Sequence, residues 1–250
     1  MISLTTHKIL FFTRKEFWFY DGEKINEGTY NVFSAAKKIY DRHSKYFTKY
    51  RTTQIDLFKA ESELLKAIHP RLRYDIRLAE KKKMEFVAIA DPTETECVEI
   101  TNHFNLFIKS KPITPMAKRW LLSVRKSGKL FITKIKFNNE NVVTHIFIIN
   151  GNVVLNTQSF INPFFTIDDI LKFANKLLHW KDIMYFKEMG FRYYNFGPVS
   201  DQLKGITQFK TNFGGGEEEY YRYIIANPFI FSLVTMLKKL IHIKNTIHTH

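Results

Sequence analysis

The chain has 250 residues, 45% of them hydrophobic, which is enough to bury a substantial core. Its 38 Lys and Arg against 24 Asp and Glu give a net charge of +14, which points to an anionic partner: nucleic acid, a phosphorylated sugar such as a nucleotide-sugar, a pyrophosphate-bearing lipid-linked precursor or an anionic membrane surface. A lone cysteine, Cys97, excludes an intrachain disulfide and fits a reducing cytoplasm; no apolar run approaches the ~20 residues of a spanning helix, and the N-terminus lacks the layout of a signal peptide.

Residues 1–60 read as an irregular lead-in. Lys8–Phe12 and Glu16–Tyr20 are strand-like, with Asp21-Gly22 as a hairpin turn between strands. Phe33–Tyr46 is expected to be helical. Residues 61–83 have a strong helical pattern, with Pro70 starting a new helix or kinking this one. Its apolar positions fall toward one face, and basic residues crowd the rest. Glu85–Ala90 reads as a strand. Thr95–Ser127 should hold further helices, interrupted at Pro112 and Pro115, with Trp120, Leu121, Leu122 and Val124 inside and Gly128 as the stop.

Residues 129–160 alternate apolar and polar residues in three runs, separated by Asn138-Asn139-Glu140-Asn141 and by Asn150-Gly151-Asn152. That is a three-stranded antiparallel meander. A helix follows over 166–189, with Thr166 as N-cap, Asp168 and Asp169 in its first turn, and Gly190 as its stop. Phe191–Phe196 is an aromatic strand that Gly197-Pro198 should break. Leu203, Ile206 and Phe209 mark a short helix. Phe213 and three glycines lead to a last strand, Tyr220–Ile225. The run after Pro228, FIFSLVTMLKKLIHIK, is apolar with lysines at one end, suited to packing, to dimerisation or to a membrane interface over residues 229–244.

Two separated motifs in this order, Gly190…Asn195-Phe196-Gly197 and Gly205-Ile206…Phe209-Lys210…Phe213-Gly214, resemble the C-terminal half of the FemA/FemB/FemX aminoacyltransferases of the GNAT (N-acetyltransferase) superfamily. The run from Arg73 to Lys81, R-x-D-I-R-x-A-E-K, resembles the basic helix that precedes the first GNAT strand in that family. The resemblance covers roughly residues 61–225. It implies an α/β (α+β) fold, a GNAT-like mixed, mainly antiparallel sheet flanked by helices. Three parts follow: residues 1–60 as an N-terminal extension or remnant half-domain, 61–228 as the GNAT-like domain, and 229–250 as an amphipathic helix and tail.

By that resemblance the chain moves an acyl or aminoacyl group to an amine of a cell-envelope or glycan precursor, in the cytoplasm or at the inner face of the membrane. Such transfer needs no covalent enzyme intermediate. That agrees with the absence of G-x-S-x-G, H-E-x-x-H and paired C-x-x-C patterns, and of any metal-ligand spacing among the histidines. Lys210, following Phe209, is the first candidate, placed to stabilise a phosphate or a developing oxyanion. Asp201 and Glu217 are candidates for steering or deprotonating the amine. Arg73 and Arg77 would face the anionic substrate or donor. Phe209 and Phe213 would wall the channel, Gly214 and Gly215 would permit close backbone approach, and Tyr194 and Asn195 sit at the strand end where GNAT sites open. No metal and no tightly bound cofactor is expected. The donor is either aminoacyl-tRNA or an acyl thioester, acyl-CoA or acyl-carrier protein. CoA-dependent GNATs carry a glycine-rich basic loop where this chain has Ser159–Thr166, with no glycine and no basic residue; the Fem-type enzymes also lack it. Two other readings stand beside this one, a single-domain sugar N-acyltransferase using a thioester, and a non-catalytic basic RNA- or membrane-binding module.

Overall fold

The computed structural model describes residues 1–9, 12–22, 28–39, 46–111, 113–199 and 204–236. In chain order the strands are β1 (Ile2–Ile9), β2 (Phe12–Trp18), β3 (Tyr30–Ala36), β4 (Tyr46–Asp56), β5 (Glu85–Ile89), β6 (Leu130–Phe137), β7 (Glu140–Asn150), β8 (Val153–Ile161), β9 (Tyr193–Val199) and β10 (Gly216–Ala226). The helices are α1 (Glu61–Ala67), α2 (Pro70–Glu80), α3 (Glu94–Phe107), α4 (Lys118–Lys126), α5 (Asp168–Glu188) and α6 (Lys204–Thr211). A further helix occupies residues 228–236.

Residues 50–219 form one compact unit, and residues 1–49 with 220–250 another. In the larger unit the strand order is β4-β9-β8-β7-β6-β5. The β6–β7–β8 meander follows from two-residue turns. Asn138 and Asn139 both take left-handed φ, +51° and +65°, and Gly151 does so at +53°. Every pairing in this sheet is antiparallel except β8–β9, which is parallel. A parallel neighbour needs a crossover, and α5 supplies it between β8 and β9.

One face of this sheet carries the main core. Leu64, Ile68, Leu72 and Ile76 from α1 and α2, and Ile170, Phe173, Leu177, Leu178, Ile183 and Phe186 from α5, pack on Phe131, Ile135, Phe147, Val154 and Phe196. Fully buried, each of the larger side chains contributes roughly 1.5–3 kcal/mol. Helix α2 starts at Pro70, where the missing N–H is one of the unpaired donors of a helix start anyway. It lies along α5 and is tied to it by Lys176–Asp75 at 2.7 Å. The C-terminus of α5 is fixed by Lys187, whose Nζ donates to the carbonyls of Leu57 and Lys59 at 2.8 Å. Gly190 follows at φ +82° and ends the helix as its position requires.

Five expectations need correction. Residues 1–60 are not an irregular lead-in: their described residues carry the four strands β1–β4, each paired with a neighbouring strand. The helix over 33–46 does not form where the residues are described: Tyr30–Ala36 is a strand, buried at every position, parallel to β2 and antiparallel to β10. Phe33 stacks on Phe17 at 5.1 Å and on Tyr223 at 4.5 Å, so pairing on both sides outweighs the local preference of Ala35-Ala36-Lys37-Lys38 for helix. Asp21-Gly22 is not a hairpin turn, because β2 and β3 run parallel. Thr166 does not cap α5; Ile167 does, without a side-chain bond, and Asp168 and Asp169 meet the helix dipole instead. Gly197-Pro198 does not end β9. Gly197, at φ +73°, absorbs an irregularity in register between Thr52 and Gln54, and the strand continues with Pro198 opposite Thr52. At Gly197 a Cβ would sit 2.6 Å from the Asn156 carbonyl oxygen, so only glycine lets β9 lie this close to β8.

Candidate functional site

Parallel pairing of β8 with β9 covers three residue pairs, Val153–Leu155 against Tyr193–Asn195. After the close approach at Asn156 and Gly197 no further β8–β9 pairs form among the described residues, although β8 runs on to Ile161. Thr157 and Gln158 are half-buried and Ser159 is exposed, in a strand that has neighbours on both sides earlier on. The two strands separate here, and β8 backbone groups on that edge are free of β9. Lys210 stands beside the same end of β9. Its ammonium donates to the Pro198 carbonyl at 2.8 Å. Among the described residues no carboxylate pairs with it, and burial lowers its pKa from 10.5 to about 8.

Helix α6, which carries Lys210, is held at its C-terminal end. The His69 N–H donates to the Asn212 carbonyl at 2.8 Å. Gly214, at φ +82°, lies against Ala67, where a Cβ would come within 2.5 Å of the carbonyl oxygen. Gly215 approaches Gln54 equally closely, its Cβ position 2.7 Å from that carbonyl. The glycines do permit close backbone approach, and the backbone that approaches is the chain's own.

Beneath β9 lies a polar cluster outside the candidates named from the sequence. Asn175, His179 and Asp182 follow one another on α5 at helical spacing, and His179 and Asp182 are buried. Across from them, His145 of β7 is fully buried. Its Nδ1 lies 2.6 Å from Asp182 Oδ2 and its Nε2 lies 2.9 Å from Asn175 Oδ1. His179 Nδ1 shares a 2.8 Å hydrogen bond with the Tyr194 hydroxyl. Burial raises the Asp182 pKa, against the opposing pull of His145 and of the Thr133 and Tyr194 hydroxyls. Burial, with the electrostatic influence of the neighbouring His145 and Lys210, holds His179 well below the usual histidine range, so its ring is neutral. Burial and the Asp182 charge push the Tyr194 phenol well up. The cluster has metal-ligand residue types, His145, His179 and Asp182, with ligand atoms within 4.8 Å of one another. Both His145 nitrogens, His179 Nδ1 and Asp182 Oδ2 already bond within the cluster and to Asn175 and Tyr194, so the arrangement serves as a hydrogen-bonded brace. The signal in the sequence was Asn175, His179 and Asp182 at four- and three-residue spacing among the apolar positions of α5.

The His179 ring is walled by Phe196, Phe209 and Phe213, at centroid distances of 5.0, 5.5 and 5.4 Å. Phe213 is buried and Phe209 partly so. Tyr194 and Asn195 are adjacent and therefore point to opposite faces of β9. Tyr194 joins the His179 brace. Asn195 donates to Thr52 Oγ1 at 3.0 Å and Gln54 Oε1 at 3.3 Å, and accepts from the Gly197 N–H at 2.8 Å. Glu217 is exposed and held by Arg51, with both carboxylate oxygens 3.1–3.2 Å from Nη1. Asp201 lies outside the described residues. Arg73 donates to the Leu65 carbonyl at 3.4 Å, and Arg77 is exposed on α2. Among the described residues no contact joins either arginine to Lys210. The structure therefore brings together Lys210, Phe209, Phe213 and Tyr194.

No protein-family model matches the sequence, and no curated protein matches it. Solved structures do. FemX superposes with a TM-score of 0.57 at 13% identity, over 74% of this chain and 63% of that one. L-PGS from Bacillus licheniformis gives 0.52 at 13% identity, over 84% and 72%. The C-terminal domain of an Agrobacterium fabrum protein named as a lysylphosphatidylglycerol synthetase gives 0.50 at 10%, over 82% and 70%. The chain thus spans 63% of the length of FemX. With its three-stranded meander, its α5 crossover and its β8–β9 separation, the chain has a GNAT-like fold, shared with FemX, with L-PGS and with the Agrobacterium fabrum domain.

Proposed function

We propose that this protein is an acyltransferase of the FemAB-like type, moving an aminoacyl or acyl group to an amine of a cell-envelope or glycan precursor. The observation that carries this reading is Lys210, a half-buried cation without a carboxylate partner among the described residues, set where β9 leaves β8. In the reaction the acceptor nitrogen attacks the donor carbonyl carbon. A tetrahedral oxyanion forms, then the carbon–oxygen or carbon–sulfur bond breaks. The nitrogen gives up a proton and the departing oxygen or sulfur takes one. A preorganised ammonium near the new negative charge lowers that barrier, as would backbone N–H groups of β8 beyond its last pair with β9. Phe209 and Phe213 exclude water beside it. Arg73 and Arg77 add positive charge on α2 for an anionic donor or acceptor.

For the donor, aminoacyl-tRNA is favoured over a CoA thioester. A pyrophosphate at the N-terminus of α5 would meet Asp168 and Asp169 in its first turn, and Ile167 offers no capping side chain. The link before it contains no glycine. The test is to incubate the protein with tRNA charged with radiolabelled amino acids and with acetyl-CoA, separately, and to follow label transfer to an amine-bearing lipid-linked precursor. Release from tRNA, with tRNA binding that weakens steeply as salt rises, supports the reading. Thermal stabilisation by acetyl-CoA together with transfer from it selects the thioester alternative. No transfer from any donor, with tRNA still bound, identifies a non-catalytic binding module.

A further inference from the structure

In the smaller unit, the helix of residues 228–236 packs one side inward, where Phe231 stacks with Tyr30 at a centroid distance of 6.5 Å. Its opposite side is apolar and exposed. Phe229 is 75% accessible, Leu233 43% and Met236 53%. These positions stand four and three residues apart, so they share one stripe. The sequence continues the spacing, with Leu240 and Ile243 eleven and fourteen residues beyond Phe229. Charge is equally one-sided. Beyond Glu219 the sequence contains no acidic residue, while Arg222, Lys238, Lys239 and Lys244 are basic. Among the described residues, no helix is long and apolar enough to cross a membrane.

We propose that this stripe docks the protein on an anionic lipid bilayer, with Phe229, Leu233 and Met236 inserted into the interface and the one-sided positive charge of the sequence around them favouring acidic headgroups. A second copy of the chain would meet the same positive charge on itself. A nucleic acid would leave the three apolar side chains in water. An anionic bilayer satisfies both features together, because interfacial binding sums buried apolar area and attraction to acidic lipid. The inference stands apart from the transfer reaction, since none of these residues belongs to the Lys210 site.

The experiment is flotation of the purified full chain with vesicles of phosphatidylcholine alone, or with one third phosphatidylglycerol. Binding should require phosphatidylglycerol and fall with added salt. The triple variant Phe229→Ser, Leu233→Ser, Met236→Ser should lose binding at unchanged circular dichroism and melting temperature. Lys238→Gln with Lys239→Gln should weaken it by about 25-fold, on the order of 5-fold per lysine. Equal binding to both vesicles, or retention of binding by the triple variant, overturns the proposal. So does a monomer–dimer equilibrium, seen by sedimentation, that the triple variant abolishes while vesicle binding is absent.

Discussion

Replacing Lys210 by methionine should remove transfer and make the protein more stable, an opposite pair of effects that a merely structural lysine would not give. Methionine has nearly the same length and no charge. The lysine holds its charge in a covered place, which is why its pKa falls from 10.5 to about 8. That displacement corresponds to at most ~3 kcal/mol of destabilisation by the charged form; because the side chain is only half-buried, about 1–2 kcal/mol is the working figure. At pH 7 the variant should melt roughly 3–6 °C higher. The sign is checked by pH. Between about 8 and 10.5 the unfolded chain holds a proton on this lysine that the folded chain has released, so wild-type stability rises through that window relative to the variant. The gap in melting temperature should close by pH 10.5. If the cation is the working form, wild-type transfer should decline as pH rises through about 8. Lys210→Arg, charged throughout, should lose that decline. The loss of rate in Lys210→Met should be on the order of 100-fold or more. Scanning fluorimetry from pH 7 to 10.5 and labelled-donor transfer make the comparison. A methionine variant that is less stable, or transfers within threefold of wild type, refutes the reasoning.

Three other substitutions probe the supports. Gly214→Ala puts a Cβ 2.5 Å from the Ala67 carbonyl at φ +82° and should destabilise by ~2 kcal/mol or more; Gly216→Ala, with open space, is its control, and equal urea midpoints would contradict the steric account. Asp182→Ala leaves His145 without its carboxylate in the core and should lower stability by about 3–5 kcal/mol, with Asp182→Asn milder in the same urea titration. Glu217→Gln breaks only an exposed pair with Arg51, so stability should change by less than ~1 kcal/mol and transfer by a few-fold at most; a 100-fold loss of rate would restore Glu217 as the base.

Much of the larger unit could be read from periodicity because its elements are local. Pro70 starts a helix wherever it sits before one, and Asn138-Asn139 and Gly151-Asn152 make two-residue turns from their own backbone preferences. Elements whose partners lie far away in the chain were not legible in this way. Phe33 and Ala36 become strand through contacts with Phe17 and Tyr223, the latter 190 positions beyond Phe33. Pro198 remains in β9 because Gly197 bends the strand so that Thr52 can pair without an N–H from proline. The same contrast holds at the site. Lys210 and its phenylalanines form a contiguous motif. The pairing of Glu217 with Arg51, and the His145–Asp182 contact, join residues 166 and 37 positions apart, and no spacing rule reaches that far.

The buried polar brace has a positional consequence for Lys210. A strand that separates from its neighbour loses the ladder bonds that fix its height and tilt. At its last two pairs with β8, β9 is also held from both faces by side chains, Tyr194 to His179 below and Asn195 to Thr52 and Gln54 beside it, and beyond them, among the described residues, only β4 still pairs with it. The polar network beneath is costly to leave unpaired, so it admits few alternative positions for Tyr194. The Pro198 carbonyl that receives the Lys210 ammonium lies four residues beyond Tyr194 on the same strand. Phe209 on α6 and Phe213 just beyond its end rest on the neutral His179 ring. One histidine thereby sets the strand that accepts the ammonium and the helix that presents it. Its neutrality matters to both roles: a protonated His179 would place a second positive charge beside Lys210 inside the core, and burial prevents that.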